Sequence, residues 1–155
     1  MYLYHKQLIL TRLQRDILLY TGTYEILTYK DSNNTATEIF LWHKKYKDIT
    51  KAIPAPLYYF KIIYDEEKHE GVAFLGLNNP HSLDVTNYPC KNVCNQISWL
   101  EKYVPDIEDE EKGQMTCCSI NELADVIDFH PNFTNEQGES IKTATLLMDI
   151  PDETE

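Results

Sequence analysis

The sequence is defined first by what it has little of. Five glycines and seven prolines in 155 residues are too few for a linker or a fibre. No window approaches roughly 18 consecutive apolar residues, so no membrane-spanning helix is expected. Disorder is excluded from the other side, because 43% of the residues are hydrophobic and 12% aromatic. Met1 to Leu13 does not read as a secretory signal peptide: its apolar run is too short and no small-residue cleavage site follows. Also missing are a Gly-x-Ser-x-Gly elbow, a Gly-rich phosphate loop and a His-Glu-x-x-His helix. A soluble globular domain remains, with residues 1–150 as one unit and 151–155 as an acidic tail.

Charge of one sign is scarce in each half. Residues 1–64 hold nine Lys/Arg against five Asp/Glu, a net of +4, whereas residues 65–155 hold five against twenty, a net of −15. Only the first region can attract a polyanion, since neutralising phosphates takes clustered Lys and Arg. The run from Asp106 to Glu111 and the tail from Asp149 to Glu155 would repel one. Lys44, Lys45 and Lys47, interleaved with Trp42 and Tyr46, form the basic patch best suited to a phosphate backbone with stacked bases. The same patch also suits the solvated end of an edge strand. The histidines at 5, 43, 69, 81 and 130 are scattered, and His81 after its Asn-Asn-Pro turn reads as solvent-exposed. No nucleophile, base and orienting group converge in the pattern.

Four cysteines, at 90, 94, 117 and 118, all lie in the acidic half. Cys90-x3-Cys94 has zinc-ligand spacing, but the adjacent Cys117 and Cys118 do not readily share one tetrahedral ion. Two disulfides, each joining one cysteine of the first pair to one of the second, fit better; reduced thiols are the other alternative. Sequons at Asn33 and Asn132 agree with an oxidising, extracellular setting.

Hydrophobic periodicity gives an α+β pattern with an antiparallel sheet first. Apolar spacing from His5 to Arg15 reads as the tail of a helix. Asp16–Tyr20 and Tyr24–Tyr29 read as strands around a Thr21-Gly22-Thr23 turn, with a third strand at Glu38–Trp42. Leu57–Tyr64 and Val72–Leu77, rich in β-branched and aromatic residues, predict the strongest hairpin. Val93, Ile97, Leu100 and Val104 predict a helix to Tyr103, and Ser119-Ile-Asn-Glu122 a capping box opening a helix to Ile127. Beyond it the chain reads as loop, with one candidate strand at Thr143–Met148.

Several segments resemble, in order, the DNA/RNA non-specific endonuclease family, and most closely its secreted animal digestive branch. They are Leu19-Tyr-Thr-Gly-Thr23, Ile53-Pro-Ala-Pro-Leu-Tyr-Tyr-Phe-Lys61, Leu77-Asn-Asn-Pro-His81, Tyr88 to Leu100, and Thr116-Cys-Cys-Ser119. The resemblance covers residues 15 to 128 and implies a ββα-metal nuclease, a central antiparallel sheet with helices on both faces. It implies cleavage of phosphodiesters in DNA and RNA with little sequence preference. In the family a histidine of an Asp-Arg-Gly-His motif activates water, and an asparagine on the next helix holds hydrated Mg²⁺.

No Asp-Arg-Gly-His occurs in these 155 residues, so no catalytic or metal-binding residue carries over. Arg12 and Arg15 lie upstream of the Tyr-Thr-Gly segment near the implied phosphate path but match no motif position. The chain is therefore expected to correspond to the C-terminal half of such a nuclease and to be inactive alone. The alternative is a diverged pseudo-nuclease serving as a protein-interaction module. Three further expectations follow: self-association through an uncovered sheet face, weak binding of nucleic acid by Arg12, Arg15, Lys44, Lys45 and Lys47, and Cys90–Cys118 as the preferred disulfide.

Overall fold

A computed structural model of the chain describes residues 16–41, 53–79, 88–107, 109, 115–128, 133–134, 140–141 and 143–151. In chain order its strands begin with β1 (Leu18–Ile26), β2 (Thr28–Lys30), β3 (Ala36–Glu38), β4 (Phe40–Leu41) and β5 (Ile53–Pro54). The hairpin β6 (Pro56–Asp65) and β7 (Glu70–Leu77) follows. After a 3₁₀ turn at Cys94–Gln96 come α1 (Ser98–Tyr103), β8 (Met115–Cys118) and α2 (Ile120–Ile127). The short strands β9 (Phe133–Thr134), β10 (Ser140–Ile141) and β11 (Thr145–Leu146) complete the described elements.

Among the described residues the main sheet has five strands, in the order β1-β6-β7-β11, with β8 also on β7. All its pairings are antiparallel except the short parallel one between β11 and β7. Strand residues alternate faces. Tyr58, Phe60, Ile62 and Tyr64 of β6 therefore pack with Ile120 and Leu123 of α2 on one side. Ile63, Val72 and Phe74 meet Trp99 and Leu100 of α1 on the other. One helix per face gives the α+β class, an antiparallel sheet flanked by helices. Among the described residues the large apolar side chains of β6 and β7 are buried or partly buried, except Tyr59, which is 44% exposed.

The predicted hairpin is present and longer than expected. Asp65 stays in the ladder opposite Glu70, and its buried carboxylate accepts from the backbone N–H groups of Glu67 (3.0 Å) and Lys68 (3.2 Å). That Asx turn narrows the connection to Glu66–His69. The Thr21-Gly22-Thr23 turn, by contrast, is not a turn. These residues lie inside the continuous β1, opposite Lys61, Phe60 and Tyr59. Glycine is required there by a neighbour across the sheet: a Cβ at position 22 would sit 2.7 Å from Phe60 Cε1 and closer still to its Cζ.

The helix predicted over Val93–Tyr103 is shorter too. Asn92 Oδ1 accepts from the N–H of Cys94 (2.9 Å), and the resulting turn gives way to α1 only at Ser98. The capping box is half-realised: Ser119 Oγ accepts from Glu122 N–H (3.2 Å). The Glu122 carboxylate instead accepts from the N–H of Lys91 (3.0 Å), tying α2 to the cysteine loop. The ladder between β9 and β10 has no counterpart in the sequence reading.

The cysteine doublet explains itself once it is placed on a strand. Cys117 and Cys118 are consecutive in β8, so their side chains leave on opposite faces. Cys117 joins Cys94 and packs with the α1 cluster; Cys118 joins Cys90 and packs with the α2 cluster. The Cα separations, 4.9 and 5.9 Å, are ordinary for disulfides. The loop from Cys90 to Cys94 thus straddles the β8 edge, where Val93 N–H donates to Cys117 O (2.9 Å). No cysteine is left free, and opposed faces are why the doublet cannot hold a shared ion.

The segment around β11 is fastened from both faces. The Asn121 side chain brackets Ala144, donating to its carbonyl and accepting from its N–H, each at 3.0 Å. Trp99 Nε1 donates to Leu147 O (3.2 Å), and Ser98 Oγ to Met148 O (3.0 Å) and Asp149. At the opposite end of the sheet two short ladders meet the main sheet in a ring of three backbone bonds. Leu27 N–H donates to Ala55 O (2.8 Å), Ala55 N–H to Ile39 O (2.9 Å) and Ile39 N–H to Leu27 O (2.8 Å). There the chain leaves the main sheet for the β2–β3 and β4–β5 ladders.

Candidate nucleic-acid interface

The residues expected to contact phosphate, Arg12, Arg15, Lys44, Lys45 and Lys47, lie outside the described residues, as do Asn132, His43 and His81. Asn33 is described and sits exposed between β2 and β3. The remaining candidates come from the sheet.

On the α1 face the pairing sets Thr21 beside Lys61, and Thr23 beside Tyr59. Alternation places all four side chains on the same surface, past the point where α1 covers it. Thr21 and Thr23 are exposed, Tyr59 presents 44% of its surface and Lys61 is half-buried. Gly76 lies opposite Tyr59 on β7 and adds no side chain to crowd its ring. Hydroxyl donors, one cation and an accessible aromatic face are the groups that hold a phosphate backbone and stack a base. The sequence reading missed this set because cutting β1 at Gly22 broke the period of two. Uninterrupted, Leu19, Thr21 and Thr23 alternate with Tyr20 and Tyr24, and the polar face is visible.

The opposite face holds tyrosines in a different state. Tyr24 stacks on Tyr58 with centroids 6.3 Å apart, and Tyr88 lies tilted against Tyr58 at 6.1 Å. Burial, then the charge of Glu25, raises the phenols of Tyr24 and Tyr58 above their usual range; burial also raises Tyr88. Tyr64 is raised by burial and then by Glu66, and its hydroxyl meets His69 Nδ1 at 3.0 Å. His69 thereby closes the hairpin turn.

Mg²⁺ requires converging oxygen ligands. Among the described residues no group of three or more His, Cys, Asp or Glu side chains comes together. The buried carboxylate, Asp65, is engaged by its own turn. The described residues therefore do not fit the ion, and no chemical step is routed through it. Among them, too, no helix is long and apolar enough to cross a membrane.

The chain is similar to salivary proteins of Glossina morsitans morsitans and Lutzomyia longipalpis. It is 36% identical over 110 residues to Salivary protein Tsal1 of Glossina morsitans morsitans, covering 70% of this chain and 25% of that protein. It is 33% identical over 111 residues to the Salivary endonuclease of Lutzomyia longipalpis, covering 72% and 25%. Salivary protein Tsal2A of Glossina morsitans morsitans is 31% identical over 84 residues, covering 54% and 21%. The chain thus spans about a quarter of the length of the curated relatives it matches. No family model and no solved structure matches it.

Proposed function

We propose that these residues form the C-terminal part of an extracellular, sequence-non-specific DNA/RNA endonuclease of the ββα-metal type. The observation that carries this reading is the 33% identity to a protein named Salivary endonuclease, across 72% of the chain. The ordered Tyr-Thr-Gly, Ile-Pro-Ala-Pro and cysteine segments support it, and the two disulfides suit an oxidising compartment. In this reading residues 1–150 supply scaffold and substrate contact. Metal-dependent hydrolysis belongs to an Asp-Arg-Gly-His segment, which these residues do not contain. The phosphate backbone runs along the basic first region and across Thr21, Thr23, Tyr59 and Lys61.

Two measurements test this. Purified residues 1–155 given Mg²⁺ and duplex DNA or RNA should show no cleavage above buffer; chelator-sensitive turnover would overturn the division of labour. Fluorescent oligonucleotides should bind detectably only at low salt. Tyr59→Ala should weaken that binding about tenfold, the loss of roughly one stacked base. Lys61→Ala should reduce the salt slope by about one. Binding unaffected by both variants would remove the sheet surface from the interface.

A further inference from the structure

We infer that Asn33 is an N-glycosylation site that carries an oligosaccharide at the tip of the β2–β3 hairpin. The sequon Asn33-Asn34-Thr35 spans the turn between the two strands. Asp31 holds this turn. Its Oδ1 accepts from the N–H groups of Asn33 (2.8 Å) and Thr35 (2.9 Å). Its backbone accepts from Asn34 N–H (2.9 Å) and donates to Thr35 O (3.1 Å). Asn34 takes the left-handed conformation, with φ 63°, which asparagine tolerates better than most residues. The backbone donors of the sequon are thus all satisfied without its own side chains, and Asn33 and Thr35 both stand exposed.

The surroundings leave room for the sugar. Every residue of β2 and β3 is exposed, so a glycan displaces no packed neighbour. A two-stranded ladder with both faces in water is marginal by itself, and a bulky hydrophilic cover protects its edge from pairing with another chain. The inference rests on the extracellular reading above, because the donor is met along the secretory route. In the transfer, Asn33 Nδ2 attacks the anomeric carbon of a lipid-diphosphate-linked oligosaccharide. The new C–N bond replaces the C–O bond to the lipid diphosphate, which leaves with the electron pair, and the amide proton passes to a base of the transferase.

The test is to secrete the whole chain from insect cells behind a supplied leader and map its peptides under non-reducing conditions. Release with peptide N-glycosidase in heavy-oxygen water should convert Asn33 to labelled aspartate in most molecules. Asn33→Gln and Thr35→Ala should each remove one glycan step from the gel mobility, and Thr35→Ser should keep it. Bare Asn33 in secreted chain whose two disulfides are closed would overturn the site while leaving the extracellular reading intact. Bare Asn33 together with four free thiols would overturn both.

Discussion

The two ends of the sheet are held by different means. Around β8, two disulfides close loops on opposite faces, Trp99 is buried against Phe74 at 6.2 Å, and the β11 segment is fastened by Asn121 and Trp99. Around β2 to β5, among the described residues, short ladders whose side chains are mostly exposed meet in a ring of backbone bonds. The net charge follows the same line, −15 on the cystine side of residue 64 and +4 before it. Anchorage and candidate recognition are thus separated along the chain. The acidic part carries the cross-links, and the surface proposed above to meet a polyanion lies on β1 and β6 of the part with net positive charge.

The largest effect should come from opening the covalent end. Replacing Cys94 and Cys117 by serine frees a loop with a sequence separation of 23. In the chain-entropy model this costs about 3–4 kcal/mol. Chemical denaturation followed by Trp99 fluorescence reads it. If oligonucleotide binding at low salt survives while the Trp99 signal shifts, the two ends are separable; simultaneous loss makes them one cooperative unit.

A smaller effect should come from the sheet between them. Gly22→Ala pushes a methyl group into the Phe60 ring and should destabilise by about 1–3 kcal/mol, as overpacking does. Phe60→Leu in the same chain should recover part of that loss. An additive double mutant would show that the ring is not what position 22 is matched to.

Alkali should act more gently, and on the tyrosine face. The phenols of Tyr20, Tyr24, Tyr58, Tyr64 and Tyr88 are raised by burial first. The unfolded chain therefore loses these protons before the folded one does. Their contribution to stability is complete below the ordinary phenol value of about 10 and is lost as pH rises through the folded values. Tyrosinate absorbance should lag in native protein and jump on unfolding. Coincident titration of native and denatured chains would contradict the burial.

The parts legible from sequence were those decided by local chemistry. The β6–β7 hairpin announced itself through β-branched and aromatic runs, and α2 through Ser119 three residues before Glu122. Gly22 misled because a glycine between two threonines looks like a turn, whereas its reason is a ring on the neighbouring strand. Two-residue ladders such as β4–β5 carry no period at all and exist only through partners elsewhere. For the site, Arg12, Arg15, Lys44, Lys45 and Lys47 were chosen by charge. Thr21, Thr23, Tyr59 and Lys61 needed the register, which composition does not contain.

The ring of bonds at Leu27, Ile39 and Ala55 acts as an alignment key. Ala55 stands between Pro54 and Pro56, neither of which has an N–H to give. It is the sole donor in that tripeptide, so sliding the strand one step either way puts a proline opposite Ile39 O. An acceptor left unmet in this way costs about 1–3 kcal/mol if it is buried. The same step would invert the strand, turning Phe60 outward and taking Tyr59 and Lys61 into the core. Two prolines thereby work as an error check on which side of the sheet Tyr59 and Lys61 occupy.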